Sequence, residues 1–258
     1  MEPENGVEPL DVIVCVKRVP DTEARIRIGE GAAAIDPTAV KFIMSPYDEY
    51  AVEAALRTRE AAGSGEVTLV TLGDEASQET LRAGLALGAD RAVLLAGEVT
   101  QDGLATAKAL AAELTGSGAP LVLFGVKAAD DDQQQVGPMT ATLLGLPCVT
   151  GVGSFEVQGD KVVCHREVEG GVEVLEAQLP AVLTITKGVY DPRYASLKGI
   201  MAAKKKPLEQ KAAAKADSRL TVDKLAYPPE RAPGRIVGQG PDAASELVRL
   251  LREEANAL

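Results

Sequence analysis

The sequence has no tryptophan, one histidine, three cysteines and an aromatic content of only 3% in 258 residues. With so few rings, a core drawn from the 46% apolar residues has to be aliphatic. That suits buried parallel strands covered by Ala-rich helices. The cysteines, Cys15, Cys148 and Cys164, are scattered without a CxxC pair. Neither a metal site nor a disulfide framework is indicated, which fits a reducing compartment. The one histidine, His165, stands in a segment of alternating polarity with no Ser, Cys or carboxylate motif beside it. It reads as an exposed strand residue rather than a catalyst. No apolar run reaches the roughly 20 residues of a membrane span. A net charge of −11 argues against nucleic acid as a partner. The opening MEPENGVEPL is acidic and lacks Arg, unlike a targeting peptide, so residues 1–9 are expected to be a frayed extension and the protein cytoplasmic. No nucleophile, acid–base dyad or metal cluster stands out. If the chain takes part in a reaction, a cofactor does the chemistry.

What is present is an alternation of strand and helix signals. Asp11 to Val19 reads as a buried strand ended by Pro20, and Arg25 to Ile28 as a half-buried strand opening a hairpin. Ser45-Pro46 marks a helix start, with Asp48 and Glu49 in its first turn and Gly63 as its stop. Strands at Glu66 to Leu72 and Arg91 to Leu95 alternate with helices at Ser77 to Leu87 and Leu104 to Leu114. Short connections of this kind give right-handed βαβ units and a doubly wound, mostly parallel α/β sheet. After Cys148 the pattern becomes polar–apolar alternation broken by Gln-Gly-Asp and Glu-Gly-Gly, which predicts an antiparallel meander with one wet face. Ala181 to Thr186 is apolar enough to return to the main sheet. The expected organisation is an α/β domain over 10–206 and an extended arm with a terminal helix over 207–258. Leu247, Val248, Leu250 and Leu251 form an apolar stripe on that helix. The stripe needs a cover, either the chain's own domain or a partner subunit, and the partner is the preferred reading.

The stretch around which the rest is organised is Leu121 to Ala141, LVLFGVKAADDDQQQVGPMTA. Strand, glycine, polar loop and helix start follow one another, as in a nucleotide site of Rossmann-like type. Loop and helix N–H groups converge there, and the helix dipole favours an anion. The motif is neither GxGxxG nor a P-loop, and no Lys-Ser/Thr pair follows Gly125. Phosphate contacts would come from backbone and amides, while the carboxylates of Asp130, Asp131 and Asp132 would bind ribose hydroxyls or cap the helix. An ordinary strand-to-helix turn with a solvated acidic loop fits the motif as well.

Four segments in order resemble the β-subunit family of electron transfer flavoproteins: CVKRVPDT (Cys15 to Thr22), MSPYDEYAVEAAL (Met44 to Leu56), GVKAADDDQQQVGPMTA (Gly125 to Ala141) and PRYASLKGIMAAKKKP (Pro192 to Pro207). The resemblance implies a heterodimer with a larger α subunit that holds most of the redox-active FAD, while this subunit buries AMP. Such a complex is an electron carrier, not an enzyme. It takes electrons from acyl-CoA dehydrogenases and related flavin dehydrogenases and passes them to a quinone oxidoreductase, without stable insertion in a membrane.

Carried onto this chain, the AMP site uses Cys15, the Ser45-Pro46-Tyr47-Asp48 turn and Leu72. Its loop comprises Gly125, Val126, Lys127, Ala128, Ala129, Asp130, Asp131 and Asp132, then Gln133, Gln134, Gln135 and Val136. Ser45 stands where relatives often carry Asn, and Thr22 where some carry an aromatic residue. Tyr47 keeps a ring that could face the isoalloxazine. Electron-bifurcating relatives hold a second FAD at a loop resembling Asp-Gly-Asp-Thr. Here Asp131 and Gln133 replace the Gly and Thr, which disfavours a second diphosphate. The family's recognition loop corresponds to 191–206, with Leu197 as the plug for an apolar pocket on the dehydrogenase. Arg193, Ile200, Met201 and the Lys204-Lys205-Lys206 run lie around it. Alternatives from other classes are a universal-stress-type nucleotide-binding module, which leaves the recognition-like loop without a use, and an ATP-cleaving enzyme, which lacks a phosphate-directed lysine.

Overall fold

The computed structural model describes residues 9–97, 102–231 and 233–258. Residues 1–8 of the expected N-terminal extension lie outside the described residues. The chain divides into two units at Lys224/Leu225.

The first unit runs β1 (Val12–Cys15), β2 (Arg18–Pro20), β3 (Phe42–Met44), α1 (Pro46–Ala62), β4 (Val67–Gly73), α2 (Ser77–Leu87), β5 (Arg91–Ala96) and α3 (Gly103–Leu114). It continues with β6 (Leu121–Gly125), α4 (Val136–Leu144), β7 (Cys148–Val152), β8 (Ser154–Gln158), β9 (Lys161–Val168), β10 (Gly171–Gln178), β11 (Ala181–Ile185), α5 (Leu197–Ala203) and β12 (Leu208–Ala212). Seven strands form one sheet in the order β12-β5-β4-β1-β6-β11-β7, every neighbouring pair parallel. β8, β9 and β10 form the antiparallel meander, with His165 exposed on β9.

Alternation along the first strand explains the two-faced core. Val12 and Val14 point into one apolar cluster with Leu56, Leu69, Leu81 and Leu85. Ile13 and Cys15 point into the other, with Val70, Leu110, Leu114 and Ala141. A strand buried on both faces reads as a continuous apolar run, as this one does. Each fully buried Leu contributes roughly 1.5–3 kcal/mol. After β5 the chain crosses back so that β6 lies on the other side of β1. This reversal opens a crevice at the carboxyl ends of β1 and β6.

Three expectations need correction. The expected first strand, Asp11 to Val19, is two strands, because the Lys17 N–H leaves the ladder for the Asp48 carboxylate at 2.7 Å. β2 then pairs antiparallel with β3 as a separate ribbon. Arg25 to Ile28 is no strand: Ile28 and Ile35 make one isolated bridge. The sequence reading starts the arm at residue 207, yet Leu208–Ala212 pairs in parallel with β5 as the edge of the main sheet. Ahead of the meander, Cys148–Val152 is the parallel strand at the opposite edge.

In the second unit, α6 (Ala243–Glu253) leaves Leu247 and Val248 about half exposed on its apolar stripe. Arg249 pairs with Glu246 and Glu253 on its polar side. No helix among the described residues is long and apolar enough to cross a membrane.

Candidate functional site

The crevice is a cleft with about 840 Å³ of empty space, part of it open to solvent. Strand ends supply Cys15, Val16, Lys17, Leu72, Phe124 and Gly125, and the loop after β6 supplies Val126, Lys127, Ala128, Asp131, Gln133, Gln134, Gln135 and Val136. Asp48 closes one side from the first turn of α1, and Gly103, Thr106 and Leu110 of α3 close the other. Val16, Leu72, Leu110 and Phe124 make an apolar wall, and the loop makes a polar one.

Asp48 ties the site together. Its two oxygens accept the N–H groups of Lys17 at 2.7 Å and Gly125 at 3.0 Å, joining the ends of β1 and β6 to α1. Gly125 is needed for this approach. A Cβ there would lie 2.4 Å from Asp48 Oδ1 and 2.7 Å from the Tyr47 carbonyl carbon. Burial pushes the Asp48 carboxyl up to about 7, against the pull of those two N–H groups. Burial also raises the Cys15 thiol far above its ordinary value, with the nearby Asp48 adding to it, so Cys15 is a wall and not a nucleophile.

The acidic loop is neutralised from two sides. Lys17 Nζ lies 2.8 Å from both Asp130 and Asp131, and Lys127 Nζ lies 2.9 Å from Asp132. Burial draws the Lys17 ammonium down, but the two carboxylates outweigh it and raise it overall. Asp132 and Gln134 adopt positive φ, 52° and 55°. Residues other than glycine hold that conformation at a cost, most often at functional loops. The carboxylates do not cap α4, whose N-cap is Gln135 with no side-chain cap bond. Within the described residues no acceptor meets the Val136 and Gly137 N–H groups, so the first turn of α4 faces the cleft with open donors.

The remaining predicted residues lie behind this lining. Ser45 is the N-cap of α1, fully buried, and its Oγ meets no partner among the described residues. Pro46 and Tyr47 follow in the first turn, and Lys127 Nζ lies 5.6 Å from the centre of the Tyr47 ring. Ala129, Asp130 and Asp132 are exposed.

The 191–206 segment lies elsewhere. Ser196 caps α5 by accepting the Gly199 N–H at 3.0 Å. Leu197, Ile200 and Met201 are 84%, 45% and 64% exposed, and Tyr194 just before them is almost fully exposed. The far end of α5 is bolted to α2. Arg82 donates to the carbonyls of Ala203 and Lys206, and Lys206 Nζ donates to those of Leu85 and Ala89. Of the Lys204-Lys205-Lys206 run, Lys206 is thus engaged within the chain, while Lys204 and Lys205 are exposed.

The model of the electron transfer flavoprotein domain matches residues 33–216. The electron transfer flavoprotein subunit beta of Syntrophomonas wolfei is 39% identical over 236 residues, covering 92% of this chain and 93% of that protein. Those of Bradyrhizobium diazoefficiens and Sus scrofa are each 39% identical, covering 96% and 95% of this chain and 100% and 97% of their own. The chain belongs to the electron transfer flavoprotein family, as a β subunit.

For this family member the sequence reading missed Lys17 and the α3 wall. Lys17 stands in the CVKRVPDT segment, but its partners are 113 and 114 residues away, so nothing local announces them. The α3 wall had a signal. Asp102 caps that helix, accepting the Leu104 and Ala105 N–H groups, and the turn follows a strand of the same parallel sheet.

Proposed function

We propose that this chain is the β subunit of a heterodimeric electron transfer flavoprotein, holding AMP in the cleft and completing the surroundings of an FAD carried mainly by an α subunit. The observation that carries the nucleotide assignment is the uncapped first turn of α4. It offers open N–H donors beside an apolar wall at the switch point of the sheet. Val16, Leu72, Leu110 and Phe124 would receive the base, and the loop backbone from Gln133 to Gly137 the phosphate. When bound, FAD supplies reversible electron transfer. This chain's residues position and enclose, and none is assigned a proton transfer. Acyl-CoA dehydrogenases and related flavin dehydrogenases would deliver electrons at the Leu197–Met201 surface, and a quinone oxidoreductase would take them on. The setting would be cytoplasmic, with the stripe of α6 covered by the partner subunit.

A second FAD in place of AMP is the other reading within the family. The side chain of Asp131, held on Lys17 at the cleft, argues against space for a further diphosphate. Co-expression with the α subunit, followed by denaturation and chromatography of the released nucleotides, tests the proposal. The expected result is one AMP and one FAD per yellow heterodimer. Two FAD without AMP would overturn the AMP assignment. A colourless homodimer that binds adenylate alone would overturn the heterodimer and favour a regulatory module.

A further inference from the structure

Between the end of β11 and the start of α5, residues 186–196 have no regular structure, yet they carry the chain to the exposed surface of α5. Irregular backbone next to a core needs partners for its polar groups. Here the middle of α1 provides them. Arg57 donates to the carbonyls of Val189 at 3.0 Å and Asp191 at 3.3 Å. Glu53, only 3% exposed, accepts the Arg193 backbone N–H at 3.3 Å. It also takes the Arg193 guanidinium as a fork, Nε at 2.7 Å and an Nη at 3.1 Å, and receives Arg57 Nε at 2.7 Å. Glu60 receives the same guanidinium on its outer side, at 2.7 and 3.1 Å.

We infer that Glu53 and Arg193 are positioning residues that fix the angle at which α5 presents Leu197 to a dehydrogenase. This rests on the docking reading proposed above. A mid-helix carboxylate that is nearly inaccessible has no solvation to gain, and burying it is tolerated only because paired cations and an N–H saturate it. Arg193 has its Nε and both Nη atoms engaged inside the chain, so it serves the segment instead of the partner. Three residues separate it from Leu197. Loosening the fork lets the segment swing while the helix itself, capped by Ser196 and bolted to α2, stays formed.

The test uses the complete FAD- and AMP-loaded heterodimer. In Glu53→Gln, amide hydrogen exchange across 189–199 is expected to rise roughly tenfold or more through local opening, with FAD and AMP contents unchanged. With an acyl-CoA dehydrogenase reduced by its acyl-CoA as donor, KM for the flavoprotein is expected to rise about fivefold while kcat stays within about twofold. Arg193→Lys keeps the charge and loses the fork, so it should fall between wild type and Glu53→Gln in both readouts. It also keeps the test open if Glu53→Gln does not assemble. Unchanged exchange in both variants would overturn the positioning role. Raised exchange with unchanged KM would overturn the docking reading and leave Glu53 as a structural anchor only.

Discussion

Helix α1 carries two buried carboxylates five residues apart, and they live in opposite electrostatic worlds. Asp48, at the cleft end, meets two backbone N–H groups and no cation within hydrogen-bond reach among the described residues, and burial lifts it to about 7. Glu53, under the 186–196 segment, meets two guanidinium groups. Burial pushes it up, but Arg193 and Arg57 outweigh that and hold it below the ordinary glutamate value. The contrast matches the roles proposed for the two regions. The cleft end is finished with dipoles and leaves the first N–H donors of α4 open, as the proposed nucleotide site requires. The middle of the helix is saturated by ions, beneath a segment that leads to the exposed Leu197, Ile200 and Met201.

The comparison can be broken hardest at Gly125. Gly125→Ala drives a methyl into the Asp48 carboxylate and the Tyr47 backbone, so a loss of about 3 kcal/mol in chemical denaturation is expected, with loss of bound nucleotide. At mid-helix, Arg193→Met strips the fork from Glu53. Breaking a buried pair costs roughly 3–5 kcal/mol, but Arg57 stays behind and Arg193 is one-third exposed, so about 2 kcal/mol is expected here. Nucleotide content should not change.

The two carboxylates also predict pH dependences of opposite sign. Asp48 has a folded value of about 7 against an ordinary 3.8. Its contribution is complete below the lower value and is lost as pH rises through about 7, on the order of 2 kcal/mol between pH 5 and 8. Asp48→Asn should flatten that decline, measured as urea midpoints followed by circular dichroism. Glu53 is depressed, so its contribution is present above about 4.5 and is lost as pH falls through its lower folded value. Glu53→Gln should leave the slope from pH 5 to 8 as in wild type and weaken the acid limb instead. A neutral-range slope that survives Asp48→Asn would sink the assignment.

The same contrast explains what the sequence could disclose. Val12 to Cys15, Val67 to Gly73 and Leu121 to Gly125 are apolar on both faces, and their strand character needs no distant information. The meander is legible because Phe155, Val162 and Cys164 alternate with wet neighbours. What escaped depends on long-range pairing. The break after Cys15 is made by Asp48, 31 residues beyond Lys17. Leu208–Ala212, with its Glu, Gln and Lys, is a polar edge strand of the kind that avoids further pairing, and so it reads as arm. Arg193 reads as a surface cation because its carboxylates lie on a helix 133 and 140 residues earlier. The lining of the cleft was mostly legible from strand ends. The clamp by Lys17 was not, whereas the wall of α3 carried a local signal in the Asp102 cap.

The smallest expected effect on stability falls at Leu197. The side chain is 84% exposed, so truncation removes almost no buried area, and Leu197→Ala should move the unfolding free energy by less than about 0.5 kcal/mol. Exchange across 189–199 should also stay at the wild-type rate, since every anchor of the segment is intact. If the surface works as proposed, the variant nevertheless slows reduction by the dehydrogenase with FAD and AMP contents normal. The pairing with Glu53→Gln is informative because one variant removes the contact and the other the angle. Both should weaken productive encounter, but only the loss of the anchor should loosen the chain. Slower reduction in Leu197→Ala accompanied by faster exchange would mean that Leu197 packs locally, and the division between strut and contact would fail.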